Sequence, residues 1–425
     1  MTAALTDLER AALDAVEVAT AGRLLEDLVA IPSETGSAAE SDAQHWVARR
    51  CEHLGLDVDL WRMDLDQLRA ADGFPGTEAD REEAWGLVAV TPGESDGPTL
   101  VLQGHVDVVP PGDLGQWVGG DPYTPRVEGD VLYGRGACDM KAGVVANLVA
   151  LDAVQRVGAR LRGRVAVHTV VSEEDGGLGA FGTLARGHRG DACVITEPTG
   201  GDVITANGGA LTFTLRVPGL ATHGSTRYAG VSAVEKFLSV HDALTELERD
   251  RNADVDPLMA DYPIAYPLSV GRVSAGDWSS SVPDLLTAEG RIGVRLGEDV
   301  ARTRADLEAC VARVNAGDPW LADHPVTVGW TGGQFASGRF PAGHPFLGVV
   351  QRAHADATGG PPPRERGAPY GSDLRLYNGA GIPSLHLGPG EARHAHSPLE
   401  QVRLSEVAAV ARMLTLVILR TCGVR

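Results

Sequence analysis

The sequence predicts an α/β protein in which a mixed sheet flanked by helices is interrupted by an inserted α+β domain of ferredoxin-like order. Segments of strand and helix character alternate up to about residue 205, as in a sheet covered by helices. The order then changes to strand, helix, strand, strand, helix, strand, which is a split β-α-β motif, before the first pattern returns. We therefore place the first part of the main domain at residues 1–205, the inserted domain at 206–331 and the second part of the main domain at 332–425.

The composition indicates a large protein with many loops. A length of 425 residues with 43% hydrophobic residues allows a large core, and 53 Gly and 25 Pro indicate many connections. The formal net charge of −20 argues against nucleic acid or an anionic membrane as the partner, because both would repel such a surface. The five scattered cysteines, the lack of a signal-peptide pattern and the lack of a membrane-length apolar run favour a soluble cytoplasmic protein with reduced thiols.

The elements before residue 84 are predicted to be mostly helical. Thr6 and Glu9 have the spacing of a capping box, and apolar residues recur at helical intervals from there to Pro32. The polar and acidic stretch at residues 64–83 carries a Gly-Phe-Pro-Gly turn and predicts a surface insertion. Between them the periodicity predicts a helix at residues 39–54 and a strand at 56–61.

From residue 87 onward the predicted elements follow the three parts of the chain in order. The first part has strands at residues 87–90, 99–103, 164–171 and 192–196 and a helix at 143–157. The inserted domain has strands at residues 210–217, 268–273, 285–294 and 326–330 and helices at 232–249 and 299–315. The second part has helices at residues 344–357 and 405–420 around a strand at 384–387. Residues that carry chemistry are expected where the strands of such a sheet end.

A histidine and an aspartate stand two positions apart where one of these strands runs out. His105 and Asp107 follow an apolar run and precede a Pro-Pro-Gly break. Residues two apart in a strand point to the same face. A metal site uses such a pair, because one ring nitrogen binds the ion while the carboxylate fixes the tautomer through the other. A buried histidine satisfied by a nearby aspartate has the same pattern, so the case for a metal depends on the rest of the chain.

Three further segments place metal-type ligands at a predicted strand end or in the loop just after it, namely Asp139, the pair Glu173-Glu174 and Glu197. The His394-Ala395-His396 segment follows near the C-terminus. Any one of them could be a solvated turn former, but their joint occurrence in one sheet indicates a site. Because adjacent residues face opposite ways in a regular strand, we expect the two glutamates to lie in a turn that begins at Ser172.

The order of five motifs resembles one known family. HVD, GRGACDMKAG, SEED, ITEPT and AHSPLE occur in the order found in the M20 metallopeptidase and deacylase family, which includes acetylornithine deacetylase and succinyl-diaminopimelate desuccinylase. The resemblance covers nearly the whole chain. It implies a zinc-peptidase-like catalytic domain, with the inserted domain as a lid and dimerisation domain, and a homodimer as the assembly.

The resemblance also implies two zinc ions with five ligands. Asp139 would bridge the ions, His105 and Glu197 would complete one site, and Glu174 and His396 would complete the other. Imidazole and carboxylate ligands suit Zn²⁺, with Co²⁺ or Mn²⁺ as alternatives. The family further implies a cis peptide after Asp139.

Catalytic roles follow from the same resemblance. Glu173 would be the general base, which takes a proton from the attacking water and passes it to the leaving nitrogen. Asp107 would orient His105. His223, which stands in a Thr-His-Gly-Ser segment, would stabilise the oxyanion of the tetrahedral intermediate, although an exposed loop histidine has the same sequence setting.

The substrate contacts are less determined, because the chain departs from the family pattern there. Ser280 stands where relatives carry an asparagine, and either Arg291 or Arg295 could bind a substrate carboxylate. The remaining candidates are Ser372 in a Tyr-Gly-Ser-Asp segment and Gly388 and Gly390, whose lack of a side chain would let the backbone approach a ligand.

The sequence therefore predicts a cytoplasmic di-zinc amidohydrolase that removes the acyl group of an N-acyl amino acid or similar small carboxylate. A dipeptidase or carboxypeptidase of the same family shares every metal ligand and remains the alternative within the enzyme class. From another class, a small-molecule binding protein that has lost the chemistry would keep the fold, and a single-metal site would bind one ion per chain.

Overall fold

The protein is described here by a computed structural model that covers residues 5–93 and 96–425. The chain forms two compact units. Unit 1 comprises residues 1–205, 340–366 and 376–425, and unit 2 comprises residues 206–339 and 367–375. Both units combine helices with a sheet, so the predicted α/β class with an α+β insertion is confirmed.

The elements are numbered in chain order. The helices are α1 (Asp7–Asp14), α2 (Val18–Val29), α3 (Ala39–His53), α4 (Leu65–Arg69), α5 (Lys141–Arg156), α6 (Leu178–Ala185), α7 (Ala233–Arg251), α8 (Val300–Gly317), α9 (Pro319–Asp323), α10 (Phe346–Thr358), α11 (Leu374–Gly379) and α12 (Leu404–Cys422). The strands are β1 (Asp57–Arg62), β2 (Trp85–Val90), β3 (Thr99–His105), β4 (Arg126–Glu128), β5 (Val131–Tyr133), β6 (Arg164–Val170), β7 (Ala192–Pro198), β8 (Val203–Asn207), β9 (Gly209–Pro218), β10 (Leu268–Ala275), β11 (Leu285–Val294), β12 (Thr327–Phe335), β13 (Gly338–Arg339), β14 (Glu365–Ala368), β15 (Ser384–Gly388) and β16 (Gln401–Arg403).

The large sheet has a parallel centre. Its strands follow the order β1-β2-β6-β3-β7-β15-β8, and β13 and β14 also pair with β8. The four neighbours β6, β3, β7 and β15 are parallel, whereas β2 pairs antiparallel both with β6 and with β1. Because parallel strands point the same way, their carboxyl ends lie along one edge of the sheet, which is where such sheets carry their active residues.

Helices cover this sheet and form the main core. In α5 all residues from Lys141 to Leu151 are buried, and α12 buries a continuous run from Met413 to Leu419. Helices that are buried over such long runs lie inside the protein rather than at its surface. The capping box predicted at Thr6 and Glu9 is present at the start of α1. None of the described helices has both the length and the apolar composition that a membrane span requires.

Unit 2 has the predicted split β-α-β order. Its antiparallel sheet follows the order β10-β11-β9-β12, and α7 and α8 supply the two helices. Alternate residues of β9 and β11 are buried, as expected for a sheet with one face in a core. Phe213, Leu215, Phe237, Val240 and Leu307 belong to that core.

The predicted boundaries of the inserted domain differ from those of unit 2. The prediction ended the domain at residue 331, but β12 continues to Phe335 and pairs there with β9. Residues 367–375 also belong to unit 2, because the carbonyl of Ala368 accepts the Gly208 N–H and the Arg375 guanidinium lies 4.2 Å from the centre of the Phe335 ring. These contacts are long-range, so local sequence patterns do not reveal them.

The stretch at residues 64–83 also differs from the prediction of a surface insertion. Most of its polar residues are exposed, but Pro75 and Arg81 are buried. Arg81 is only 7% exposed because its guanidinium contacts two buried carboxylates.

Candidate metal centre

The carboxyl edge of the parallel strands brings the predicted ligands together. His105 is the last residue of β3, Glu197 lies near the end of β7, and Glu174 follows β6 in a turn. Asp139 precedes α5, and His396 lies in the loop that follows β15. Five side chains from distant parts of unit 1 thus surround one small volume.

Asp139 lies between the two imidazoles. Its Oδ1 is 3.2 Å from Nε2 of His105, and its Oδ2 is 3.5 Å from Nε2 of His396. The outer neighbours are carboxylates: Glu197 Oε1 lies 3.7 Å from the His105 nitrogen, and Glu174 Oε2 lies 3.1 Å from the His396 nitrogen. Each oxygen of Asp139 therefore faces a different half of the cluster, as a bridging ligand would.

The tautomer of His105 shows that its Nε2 requires a cation. Nδ1 lies 2.9 Å from the backbone carbonyl of Asp107, and a carbonyl only accepts, so Nδ1 carries the hydrogen. In the neutral ring Nε2 then directs a lone pair at the carboxylates of Asp139 and Glu197, which have no hydrogen to offer when ionised. Either a proton or a metal ion must stand between these atoms. The residues therefore fit a divalent cation, and ligand atoms of His105, Glu173 and Glu197, and of His105, Asp139 and Glu174, lie within 4.8 Å of one another.

The pKa shifts of the two histidines report the same negative potential. Burial acts to lower the pKa of His105, but the carboxylates of Glu197 and Asp139 raise it well above its ordinary value. The Glu174 carboxylate raises the pKa of His396 to about 11. Burial opposes ionisation of Asp139, yet the two imidazoles hold the pKa of its carboxyl below its ordinary value. The carboxylates that cause these shifts would attract a metal ion in the same way.

Asp107 orients His105 in a different way from the predicted one. The ring nitrogen contacts the Asp107 backbone carbonyl, while the nearer carboxylate oxygen lies 3.6 Å away. The carboxylate instead accepts the N–H groups of Glu173 and Glu174, each at 3.2 Å, and the Thr35 hydroxyl at 3.0 Å. Burial raises the pKa of the Asp107 carboxyl, although the charge of His105 lowers it in part. Asp107 thus connects the histidine to the glutamate pair.

The two glutamates lie in a turn that starts at Ser172, as predicted. Ser172 has φ 63°, in the left-handed region, so the chain leaves β6 abruptly. The turn allows Glu174 to face His396 while Glu173, 7% exposed, lies near His105 and Glu197. The peptide between Asp139 and Met140 is cis, which agrees with the prediction.

Glu400 and Arg135 hold the backbone of Asp139 in place, although the sequence analysis gave neither residue a role. Glu400, the last residue of the AHSPLE motif, accepts the N–H groups of Cys138 and Asp139, both at 3.1 Å. The guanidinium of Arg135 pairs with Glu400. Burial raises the pKa of Glu400 to about 7, although the charge of Arg135 lowers it in part. Their positions within the HSPLE and GRGACD motifs were the available signal.

Unit 2 brings two of the other candidates together. His223 is exposed, and its Nδ1 accepts the N–H of Ser225 at 3.1 Å. In the neutral ring Nε2 therefore carries the hydrogen and is a donor. Ser280 lies beside it, because its carbonyl accepts the Gly224 N–H at 2.6 Å.

The arginine candidates have different surroundings. The side chain of Arg295 donates to the carbonyls of Arg251 and Asp250 at 2.9 and 3.1 Å, so it caps the end of α7. Arg291 is exposed on β11. Ser372 is 1% exposed and its hydroxyl accepts the Leu374 N–H at 3.3 Å, which gives it a structural role at the start of α11.

The two glycine candidates permit close packing around the ligands. A Cβ at Gly388 would lie 2.1 Å from the carbonyl oxygen of Thr196, the neighbour of Glu197. A Cβ at Gly390, which has φ 85°, would lie 2.7 Å from Sγ of Cys138, the neighbour of Asp139. A side chain at Gly388 would therefore displace the strand that carries Glu197, and one at Gly390 would crowd the Cys138 side chain in a strained backbone conformation.

The fold and the donor set together define a metallohydrolase: an α/β unit whose parallel strands end in two imidazoles and several carboxylates around a cation-binding volume. The sequence model of peptidase family M20/M25/M40 matches residues 101–420, and the chain belongs to this family. It is a metal-dependent hydrolase that acts on amide bonds.

Two curated relatives match the chain over nearly its full length. N-formyl-4-amino-5-aminomethyl-2-methylpyrimidine deformylase of Halalkalibacterium halodurans is 26% identical over 95% of this chain and 94% of its own. Succinyl-diaminopimelate desuccinylase of Alkalilimnicola ehrlichii is 31% identical over 90% of this chain and 95% of its own.

Solved structures share the fold at lower identity. A dipeptidase from Saccharomyces cerevisiae superposes with a TM-score of 0.76 at 14% identity, covering 98% of both chains. A dinuclear metal-binding peptidase of the M20 family from Bacillus subtilis gives a TM-score of 0.61 at 16% identity, covering 95% of this chain and 98% of its own. At these identities the comparison establishes the fold alone.

Proposed function

We propose that the protein is a di-zinc amidohydrolase that removes the acyl group from an N-acyl amino acid or similar small carboxylate. The observation that carries the proposal is the position of Asp139, whose two oxygens face His105 and His396. A carboxylate that divides two imidazole-carboxylate pairs is suited to bridge two cations. Two relatives that match most of the chain are a desuccinylase and a deformylase, and both names describe the removal of an acyl group from nitrogen.

The proposed ligands are Asp139 as the bridge, His105 with Glu197, and Glu174 with His396. When bound, two zinc ions would lower the pKa of a water molecule and polarise the amide carbonyl. Co²⁺ or Mn²⁺ would suit the same ligand types. The protein holds the ligands through the Asp107 carbonyl at one end and the Glu400 carboxylate near the bridge.

Glu173 is proposed as the general base. Its carboxylate lies within 4.8 Å of the ligand atoms of His105 and Glu197, so a water held there would be within reach. The Asp107 carboxylate fixes the Glu173 backbone by accepting its N–H. Glu173 would take the proton of the attacking water and deliver it to the leaving nitrogen, which turns a poor leaving group into an amine.

Unit 2 is proposed to supply the contacts to the substrate. The exposed Nε2–H of His223 is suited to donate to the oxyanion. Arg291 is the better candidate for the substrate carboxylate, because the guanidinium of Arg295 is committed to α7. Ser280 lies next to His223 and is retained as a polar contact.

Homodimer formation through unit 2 is part of the proposal. Strand β10 is an edge of its sheet, and unit 2 exposes the apolar side chains Leu238, Val273 and Trp278, of which Trp278 is 72% exposed. Light scattering on the purified protein tests the assembly. A mass of one chain at assay concentration would contradict it.

The deciding experiment compares N-acetyl, N-succinyl and N-formyl amino compounds with dipeptides, using zinc-loaded protein and a chelated control. We expect chelator-sensitive release of the acyl group, fastest for an acyl amino acid. Preferred cleavage of dipeptides would favour the second candidate, a dipeptidase, which shares the ligand set and the fold of the yeast dipeptidase. Binding without turnover by the zinc-loaded protein would contradict both and favour a binding protein.

A further inference from the structure

Arg81 is a fully buried cation beneath the glutamate turn. Its side chain is 0% exposed. One guanidinium nitrogen, NH1, lies 3.3 and 3.2 Å from the two carboxylate oxygens of Glu40. The other, NH2, lies 3.1 Å from both oxygens of Asp175. The planar fork of arginine presents separate N–H donors to the two carboxylates in a fixed geometry, which the ammonium of lysine matches only in part.

Asp175 belongs to the turn that carries Glu173 and Glu174. The Ser172 hydroxyl donates to the Asp175 carboxylate. The same carboxylate accepts the backbone N–H groups of Glu78 and Ala79 at 3.1 and 2.9 Å. One side chain therefore ties the start of the turn to the segment at residues 78–81.

The backbone at Gly76, just before that segment, lies against the turn, and the backbone at Asp80 lies against Gly36. A Cβ at Gly176 would lie 2.1 Å from the carbonyl oxygen of Gly76, and a Cβ at Gly36 would lie 2.7 Å from that of Asp80. No side chain larger than hydrogen fits at either contact without movement of the backbone. The segment is therefore packed as part of the support beneath the turn.

Two independent contacts hold the turn in place. Asp107 accepts the N–H groups of Glu173 and Glu174 from the β3 side. Asp175, neutralised by Arg81, holds the other side. Without Arg81 the two oxygens of Asp175 would lose the hydrogen bonds that they accept from the guanidinium, and the turn would lose its support on this side.

We propose that Arg81 is a positioning residue, which acts through Asp175 to fix the turn so that Glu174 faces His396 and Glu173 faces the attacking water. The inference rests on the proposed function for the roles of the two glutamates. It assigns a role in the site to residues 75–81, whose composition indicates only a solvated insertion.

The test uses Arg81→Met and Arg81→Lys in the full chain and has two readouts. Zinc affinity of the metal-depleted protein is measured by competition with a chromogenic chelator, and kcat and KM are measured on the best substrate. Replacing groups that orient metal ligands typically costs about 10- to 100-fold in metal affinity or activity. We expect Arg81→Met to lower the affinity for one of the two zinc ions by about that factor and to lower kcat by a similar factor. KM should stay within about twofold of the wild-type value, and Arg81→Lys should recover part of both losses.

Arg251→Met is the matched control for the loss of a buried arginine. Arg251 is 3% exposed and pairs with Glu298 and Asp306, all in unit 2. The Arg251→Met substitution should lower the unfolding midpoint, while the zinc affinity of the folded protein and its kcat stay near the wild-type values. If Arg81→Met does not fold, Asp175→Asn, which keeps the side-chain volume, is tested in its place. We expect the same loss of affinity for one zinc ion.

A folded Arg81→Met or Asp175→Asn protein that binds both zinc ions with wild-type affinity and turns over at the wild-type kcat would overturn the positioning role. Failure of the proposed function is a distinct result. In that case wild-type protein would bind two zinc ions and hydrolyse none of the substrates, and the zinc affinities alone would then decide the role of Arg81.

Discussion

Nε2 of His396 lies 3.1 Å from Oε2 of Glu174, although 222 positions separate the two residues in the chain. The same nitrogen lies 3.5 Å from Asp139. Carboxylates held this close together repel one another unless a positive charge lies between them. The contact therefore indicates a site built for cations.

Glu173→Gln tests the general base. The amide keeps the shape of the side chain but cannot accept the proton, so we expect kcat to fall by about 10²- to 10⁴-fold. Zinc content, measured by elemental analysis, should stay near two per chain because Glu173 is not a proposed ligand. Glu52→Gln, at an exposed position of α3, is the surface control and should change neither quantity. Near-normal turnover of Glu173→Gln would remove it from this role.

His223→Ala tests the oxyanion donor. Loss of one such donor costs about 10²- to 10³-fold in kcat in enzymes that use one, and we expect a loss of this size with unchanged zinc content. His241→Ala removes another exposed histidine of unit 2, on α7, and should leave kcat unchanged. Equal kcat values for the two variants would contradict the assignment.

Arg291 and Arg295 should behave differently when each is changed to Met. Arg291→Met should raise KM for substrates with a free carboxylate by about 10- to 100-fold, the loss of a charge-assisted contact, with little change in the unfolding midpoint. Arg295→Met should lower the midpoint, because it removes the hydrogen bonds to the end of α7. Steady-state kinetics and thermal unfolding measure the two effects. A raised KM for Arg295→Met together with a lowered midpoint for Arg291→Met would exchange the two assignments.

His168 should make the protein less stable as the pH falls. Burial lowers the pKa of this histidine from 6.5 to about 3, so the folded ring stays neutral while the unfolded ring takes up a proton below pH 6.5. Stability contributed by the neutral ring is thus fully present above pH 6.5 and declines towards pH 3. The loss at pH 5 should be about 2 kcal/mol.

His168→Asn is the comparison for this pH effect. The amide retains a polar group near the hydroxyl of Tyr377, which lies 2.9 Å from Nδ1 of His168. Denaturant unfolding at pH 7 and pH 5 should show a smaller difference in the variant than in wild type. Equal differences would show that His168 does not contribute to the pH dependence.

The parts of the fold with strong periodicity could be predicted from the sequence. The prediction of residues 285–294 as a strand agrees with β11, and α5, α7, α8 and α12 are each predicted to within about two residues, the usual uncertainty at helix ends. Strand β8, which lies across the predicted boundary between the domains at residue 205, is not among the predicted strands.

The site could be predicted only in part, for physical reasons that two residues illustrate. Alternation along a strand placed the Asp107 carboxylate beside His105, but β3 ends at His105, so the alternation no longer applies and the backbone carbonyl takes that contact. Arg81 lies 41 residues from Glu40 and 94 from Asp175. No local pattern reports ion pairs at such separations.

Anomalous diffraction at the zinc edge from crystals of the zinc-loaded protein tests the central claim most directly. We predict two peaks on opposite sides of the Asp139 carboxylate, about 3.5 to 4 Å apart, with the Nε2 atoms of His105 and His396 each about 2.0–2.1 Å from a different peak. A single peak, or peaks that lie away from Asp139, would contradict the bridged pair on which the proposed function depends.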